Sequence, residues 1–237
     1  MKYFVLFISI LTLFSVNSQV NHSKWDALLT AHVSKSGIVD YNGFKADQSK
    51  LTAYLNELAA NAPSSSWSEN ETMAYWINAY NAYTVKLMVK NYPLSSITNL
   101  KYEGKSAWDY KWIKIGAETL SLNDIEHTKL RKKYNDPRIH FAVNCASFSC
   151  PILLNTAYTS DKLMAQLESQ ARLFINDPKR NQISSSNVKI SQIFEWYKDD
   201  FTRGSKGVID YLNKYSKTKI KPGTKISYLN YNWKLNE

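Results

Sequence analysis

Glycine and proline are scarce in this chain, seven and six in 237 residues, and cysteine is scarcer still at two. Two cysteines allow one disulfide at most, so stability has to come from a hydrophobic core, for which the length is ample. No repeat, low-complexity block or linker-like stretch divides the sequence. No apolar run after the first eighteen residues is long enough to span a bilayer. The G-x-S-x-G elbow, the P-loop, the dinucleotide fingerprint, the H-E-x-x-H pair and the EF-hand loop are all missing. Their absence disfavours the common serine hydrolases, nucleotide binders and zincins.

What the chain does have begins with an export signal. Lys2 precedes an apolar run from Tyr3 to Val16, and Val16-Asn17-Ser18 fits a cleavage site before Gln19. The reading predicts a secreted or periplasmic protein with no stable membrane insertion once residues 1–18 are removed. The net charge of +10 is scattered, with Lys129, Arg131, Lys132 and Lys133 on one helix and a further group from Lys214 to Lys225. Secretion argues against nucleic acid as the partner. The basic excess reads as a solvated surface, or as attraction to an anionic envelope.

Periodicity predicts helices from Ser23 to about Val33, from Asp47 or Ser49 through Leu58, and from Ser68 to Tyr92-Pro93. The last opens on a capping box, Ser68-Glu69-Asn70-Glu71, and is apolar round most of its circumference, so it is expected to be central and buried. Gly116-Ala117 predicts a hairpin between Trp112–Ile115 and Glu118–Leu120. Ser121 caps a helix holding Asp124-Ile125-Glu126-His127. Ile139 to Val143 reads as a strand, Thr159 or Ser160 starts an amphipathic helix to about Phe174, and Val188-Lys189-Ile190 reads as a strand. Short helices are expected over Ile193–Phe201 and Val208–Tyr215, with a final strand from Ile226 to Leu235. The sum is a single α+β domain over residues 19–237, a buried aromatic helix packed with other helices against a small, mainly antiparallel sheet. The layout is loosely similar to papain- and transglutaminase-like folds, an analogy at the level of fold alone.

The most informative stretch is Arg138-Ile139-His140-Phe141-Ala142-Val143-Asn144-Cys145, with Cys150-Pro151 just beyond. It reads as a rigid element running into a polar loop, a common setting for a site. Cys145 and Cys150 admit a stapling disulfide, a reactive thiolate, or buried thiols and metal ligands. On a strand, Arg138, His140, Ala142 and Asn144 would share one face and Ile139, Phe141, Val143 and Cys145 the other. That weighs against a simple His140–Cys145 dyad and permits one in which the loop folds Cys150 back over the polar face. His127 has Asn123 and Asp124 one turn earlier, an arrangement in which an acid orients a base. Glu126 points elsewhere and could serve as a separate acid or base. Asn78 and Asn81, among Trp76 and Tyr80, either tie backbone together or floor a substrate groove. Aromatic side chains are plentiful, but their number identifies no carbohydrate site.

Val39-Asp40-Tyr41, Trp76-Ile77-Asn78-Ala79-Tyr80-Asn81-Ala82, Tyr92-Pro93, Leu120 to His127, Asp136 to Cys145, Ser149-Cys150-Pro151 and the tail Tyr231 to Asn236 occur in an order that resembles the domain of unknown function 547 family. The resemblance extends from about residue 38 to the end and implies no established activity. The family pattern often carries an aspartate where this chain has Asn232, so no acidic role is expected there.

These readings converge on an exported cysteine/histidine-type hydrolase or transferase acting on amide, ester or thioester bonds in the envelope. Cys145, or else Cys150, is the expected nucleophile, and His140 or His127 the base. Asp124, Asn144 or Asn78 would orient the histidine, Asn78 or Asn81 would donate to an oxyanion, and Glu126 is a further acid or base. Trp76, Asn78, Tyr80, Asn81, Asn144 and Arg138 are the expected substrate contacts. No cofactor or metal is expected, though His127 and His140 with a cysteine form the one metal set worth a test. The competing expectation is a non-catalytic, disulfide-stapled domain that binds a glycan or peptide.

Overall fold

The computed structural model of the chain describes residues 20–237. The expected signal segment lies outside them. Among the described residues no helix is long and apolar enough to cross a membrane.

The fold is built round one helix. Four helices open the chain: α1 Ser23–His32, α2 Tyr41–Ala46, α3 Gln48–Ala60 and α4 Glu69–Asn91. The expected capping box forms, with the Ser68 hydroxyl accepting from the Glu71 N–H at 3.2 Å and Glu71 accepting from the Ser68 N–H at 2.6 Å. Those bonds satisfy two of the donors that every helix start leaves orphaned. From Thr72 to Val85 every residue of α4 is buried, so it has no solvent face. Trp25 stacks on Tyr54 with ring centroids 5.8 Å apart, locking α1 to α3. The Tyr75 hydroxyl of α4 donates to the Leu58 carbonyl of α3 at 2.7 Å.

Two hairpins follow, β1 Lys101–Tyr102 with β2 Lys105–Ser106, and β3 Ile113–Ile115 with β4 Glu118–Leu120. The second is the one signalled by Gly116-Ala117, and Gly116 adopts the positive φ (57°) that such a turn requires. A wide helix, Asp124–Arg131, then runs directly into α5 Lys132–Tyr134. Ser121 and Asp124 cap its start reciprocally, side chain to backbone, at 3.0 and 2.9 Å. Its hydrogen bonds are of the π type, i to i+5, a widening often found at functional sites.

The expected strand over Ile139–Val143 is instead a 3-10 turn, Pro137–Phe141. The Asp136 carboxylate caps it by accepting from the Arg138 N–H at 3.0 Å, and Pro137 supplies a fixed φ with no N–H to satisfy. Burial here is tertiary, not a two-faced alternation: Ile139, His140, Phe141, Ala142 and Val143 are all buried. The strand-based separation of His140 from Cys145 therefore falls away.

The rest comprises α6 Leu163–Ile175, β5 Gln182–Ile183, β6 Val188–Ile190, α7 Ile193–Trp196, α8 Lys198–Thr202, α9 Val208–Tyr215 and β7 Ile226–Tyr228. The helix expected over Ile193–Phe201 breaks in two at Tyr197. β6 lies between an antiparallel β5 and a parallel β7. The long final strand shrinks to β7, and the chain then crosses to the cysteine loop. This half has its own core, where Phe141 meets Phe174, Phe194, Phe201 and Tyr211. The architecture is α+β, as expected.

Ser68→Ala removes one half of the capping box. It is expected to destabilise the protein by about 1 kcal/mol, seen as a lower urea midpoint at unchanged slope.

Candidate functional site

Three buried amides fix the loop that carries the cysteines. Asn81 of α4 donates to the Ala142 carbonyl at 2.9 Å and accepts from the Asn144 N–H at 2.8 Å. Asn144 donates to the Pro151 carbonyl at 2.7 Å and accepts from the Ala146 N–H at 2.9 Å, closing the loop on itself. Asn236 donates to the Asn144 side chain at 3.3 Å and accepts from the Tyr41 hydroxyl at 2.7 Å. Asn78 makes a similar two-way tie to the Tyr158 backbone, at 2.8 and 3.0 Å. One side-chain N–H of each of Asn78 and Asn81 is thus taken by a backbone carbonyl, and neither residue lines the cavity described below. Asn144 orients the loop, not a histidine.

The loop is also clamped from outside. Phe148 N–H donates to the Lys234 carbonyl at 2.7 Å, and Ser149 and Asn232 exchange bonds at 2.9 and 3.2 Å. Arg180 donates to the carbonyls of Cys150 and Phe148 at 2.8 and 3.0 Å and is itself held by Asp177. Within this frame Ala146 takes a left-handed φ of 62°, a conformation that costs a non-glycine residue of order 1 kcal/mol. That turn aims Cys145 into a cavity of about 310 Å3.

The expected disulfide is not shown: both thiols are free, with the sulfurs 2.9 Å apart, near but not at the bonded distance of about 2.05 Å. The Cys150 sulfur accepts from the Cys145 N–H at 3.0 Å. The Cys145 thiol is lowered to about 7, first by the hydrogen bond from Cys150 and then by Ser147 and Tyr231, against the opposing effect of burial. Ser147 Oγ and the Tyr231 hydroxyl lie 3.2 and 3.5 Å from its sulfur. Burial and the neighbouring Cys145 push the Cys150 thiol well up. The pair therefore divides its labour: Cys145 is the ready thiolate and Cys150 a protonated donor.

His140 opens onto the same cavity. Its Nε2–H donates to Asp200 Oδ2 at 2.7 Å, and Arg131 Nε donates to that same oxygen at 2.7 Å. Its ring stacks on Tyr197 at 4.0 Å between centroids. Only 3% exposed, it is held below the usual histidine range, chiefly by desolvation. The Asp200 carboxyl is held well below its usual range, first by His140 and then by Arg131. With Nε2 protonated, Nδ1 is a lone-pair acceptor, and it has no partner among the described residues. No hydrogen bond joins it to either sulfur.

Glu126, expected on a different part of its helix from His127 as a separate acid or base, faces inward on the wide helix. It is 5% exposed, lines the cavity and accepts from the Tyr197 hydroxyl at 2.9 Å. Tyr80 of α4 lines the cavity beside it. The remaining expected site residues lie apart. His127 faces Arg131, whose Nη1 donates to its Nδ1 at 3.0 Å. Asp124 bonds to Ser121 and Lys111, and Asn123 to Asp109, so no acid orients His127 as the sequence suggested. Arg138 pairs with Asp136 and Trp76 lies under Lys129, neither on the cavity wall. The metal set of His127, His140 and a cysteine does not assemble; among the described residues no cluster of three ligating side chains forms.

Sequence reasoning missed Asp200, Tyr197 and the aromatic rim of Trp108, Trp196 and Trp233. Trp233 and Tyr231 sit in the tail whose likeness to a known family was noted, a usable signal. Lys198-Asp199-Asp200 gives none, since it reads as an ordinary solvated helix start.

Two outcomes are expected. Asn81→Ala leaves a buried N–H and a buried carbonyl unpaired and should cost roughly 2–4 kcal/mol, measured by chemical denaturation. Iodoacetamide should label Cys145 with a rate that rises with pH through a midpoint near 7, because a lowered thiol holds its thiolate at lower pH. A midpoint near the about 8.5 of an unperturbed thiol, followed by intact mass, would contradict the geometry.

No curated protein and no solved structure matches this chain. Residues 64–175 match a family described as "Protein of unknown function, DUF547". The matched segment holds α4, Glu126, His140 and both cysteines, and ends before Asp200 and the aromatic tail. It is narrower than the resemblance from residue 38 onward. On that match, residues 64–175 form a segment of the DUF547 family.

Proposed function

We propose that this protein is an exported, thiol-dependent hydrolase or transferase acting on an amide, ester or thioester of an envelope-associated substrate. The observation that carries the reading is a lowered, partly exposed Cys145 thiol opening on the same cavity as a neutral His140 whose far nitrogen is held by Asp200. Cys145 needs no base to ionise, so His140 is free for the second half of a two-step reaction. The thiolate attacks the carbonyl carbon, the bond to the leaving group breaks as that group takes a proton from solvent, and a thioester remains on Cys145. A water or acceptor then attacks that carbonyl while His140 Nδ1 takes its proton. The C–S bond breaks and returns the thiolate, and Asp200 stabilises the imidazolium formed in passing.

The contact between the sulfurs favours one second reading, a thiol pair that closes under oxidation and silences the nucleophile. Oxidised glutathione would then remove both free thiols and with them all acyl transfer.

The test is an acyl-enzyme experiment with an activated thioester, followed by intact mass. An acyl adduct on Cys145 is expected, absent from Cys145→Ser and cleared about 10²-fold or more slowly in His140→Ala. A thiol that alkylates readily yet never accepts an acyl group would overturn the catalytic reading. It would leave the non-catalytic domain that binds a glycan or peptide.

A further inference from the structure

The cavity beside Cys145 offers hydrogen-bond acceptors and aromatic faces but no cation. Glu126 uses Oε1 to accept from Tyr197, and its second oxygen takes no bond from the described residues. Although the chain carries a net charge of +10, no lysine or arginine lines this cavity. Arg131 lies over Tyr197 and is committed to Asp200. The free Glu126 oxygen, on the cavity wall, calls for a ligand that donates, since an acceptor left unmet is costly.

The walls point the same way. Tyr80 and Tyr197 flank Glu126, and both phenols are pushed far up by burial first and by Glu126 next. Further out, Trp233 packs against Trp108 at 5.7 Å and stacks with Trp196 at 5.9 Å, and Trp196 is 46% exposed at the mouth. Aromatic faces round a carboxyl group attract a cation through the ring quadrupole, most strongly where water is excluded. An anionic group would meet the Cys145 thiolate and Glu126 with nothing to offset it.

We infer that the cavity takes a primary alkylammonium group, donating N–H to Glu126 within the aromatic wall, so that the substrate class is amine-bearing. This rests on the proposed function only in treating the Cys145 cavity as a substrate site.

The test is calorimetric titration of the purified protein, and of Cys145→Ser, with n-hexylammonium, 1-hexanol and hexanoate at neutral pH. Hexylammonium is expected to bind about tenfold or more tightly than the alcohol, with hexanoate weakest. Glu126→Gln should erase the preference for the cation. Equal binding of amine and alcohol, or preference for hexanoate, would overturn the inference. Those wild-type outcomes decide it even if Glu126→Gln does not fold. Ammonium binding retained in Cys145→Ser, with no acyl adduct on the wild type, would sink the catalytic reading and leave the amine site standing.

Discussion

The buried amide chain Asn81–Asn144–Asn236 is the constraint on which the site depends. It joins the centre of α4, the cysteine loop and the last turn of the chain, three segments far apart in sequence. Each amide is buried, so each must be satisfied, and only this one loop path satisfies all three. Apolar packing alone would leave the loop free to slide, since hydrophobic burial has no direction. Hydrogen bonds between buried amides do have direction, and they hold Ala146 in a conformation it would otherwise leave. The strain at Ala146 is tolerated because the frame on both sides is over-determined. Cys145 points into the cavity as a consequence.

Burial and charge are arranged in opposition around that point. Desolvation alone would raise both thiols, since it disfavours the thiolate. The hydrogen bond between the thiols breaks the symmetry: the Cys145 thiol is lowered by its bonds with Cys150, Ser147 and Tyr231, and the Cys150 thiol is pushed up by burial and by Cys145. His140 is treated differently. It is desolvated enough to stay neutral, yet anchored to an Asp200 that two cationic or donating partners keep ionised. A neutral imidazole with one nitrogen anchored and the other unpartnered keeps a lone pair that can accept a proton.

Local signals in the sequence were readable wherever a short-range hydrogen bond decides the structure. Ser68 with Glu71, Ser121 with Asp124, and Gly116-Ala117 each fix an element through bonds spanning three or four residues. The stretch Ile139–Val143 went the other way because its apolar run mimics a strand. The deciding signal, Asp136-Pro137, is a helix-start pair that the run outweighed. Asp200 was not legible at all. Nothing near it in sequence distinguishes it from Asp199, and its role is created by a contact sixty residues away.

The family match divides this site along a physical line. The nucleophile, the imidazole, the buried glutamate and the amide frame from α4 all lie within residues 64–175. The carboxylate that anchors the imidazole, its stacking partner Tyr197 and the tryptophans of the mouth, Trp196 and Trp233, lie outside it. These two groups perform different tasks. On the proposed function, the first holds the reacting sulfur and the proton acceptor, together with Tyr80 and Trp108 of the walls. The second adds the remaining aromatic wall and the carboxylate that anchors the imidazole. The second core, around Phe141, Phe201 and Tyr211, couples the two: Phe141 follows His140 directly, and Phe201 follows Asp200. Packing those two rings 5.7 Å apart brings the imidazole and the carboxylate into register. The hydrogen bond between His140 and Asp200 is therefore set by the hydrophobic packing beneath it, and a change in that core should be felt at the base before it is felt at the nucleophile.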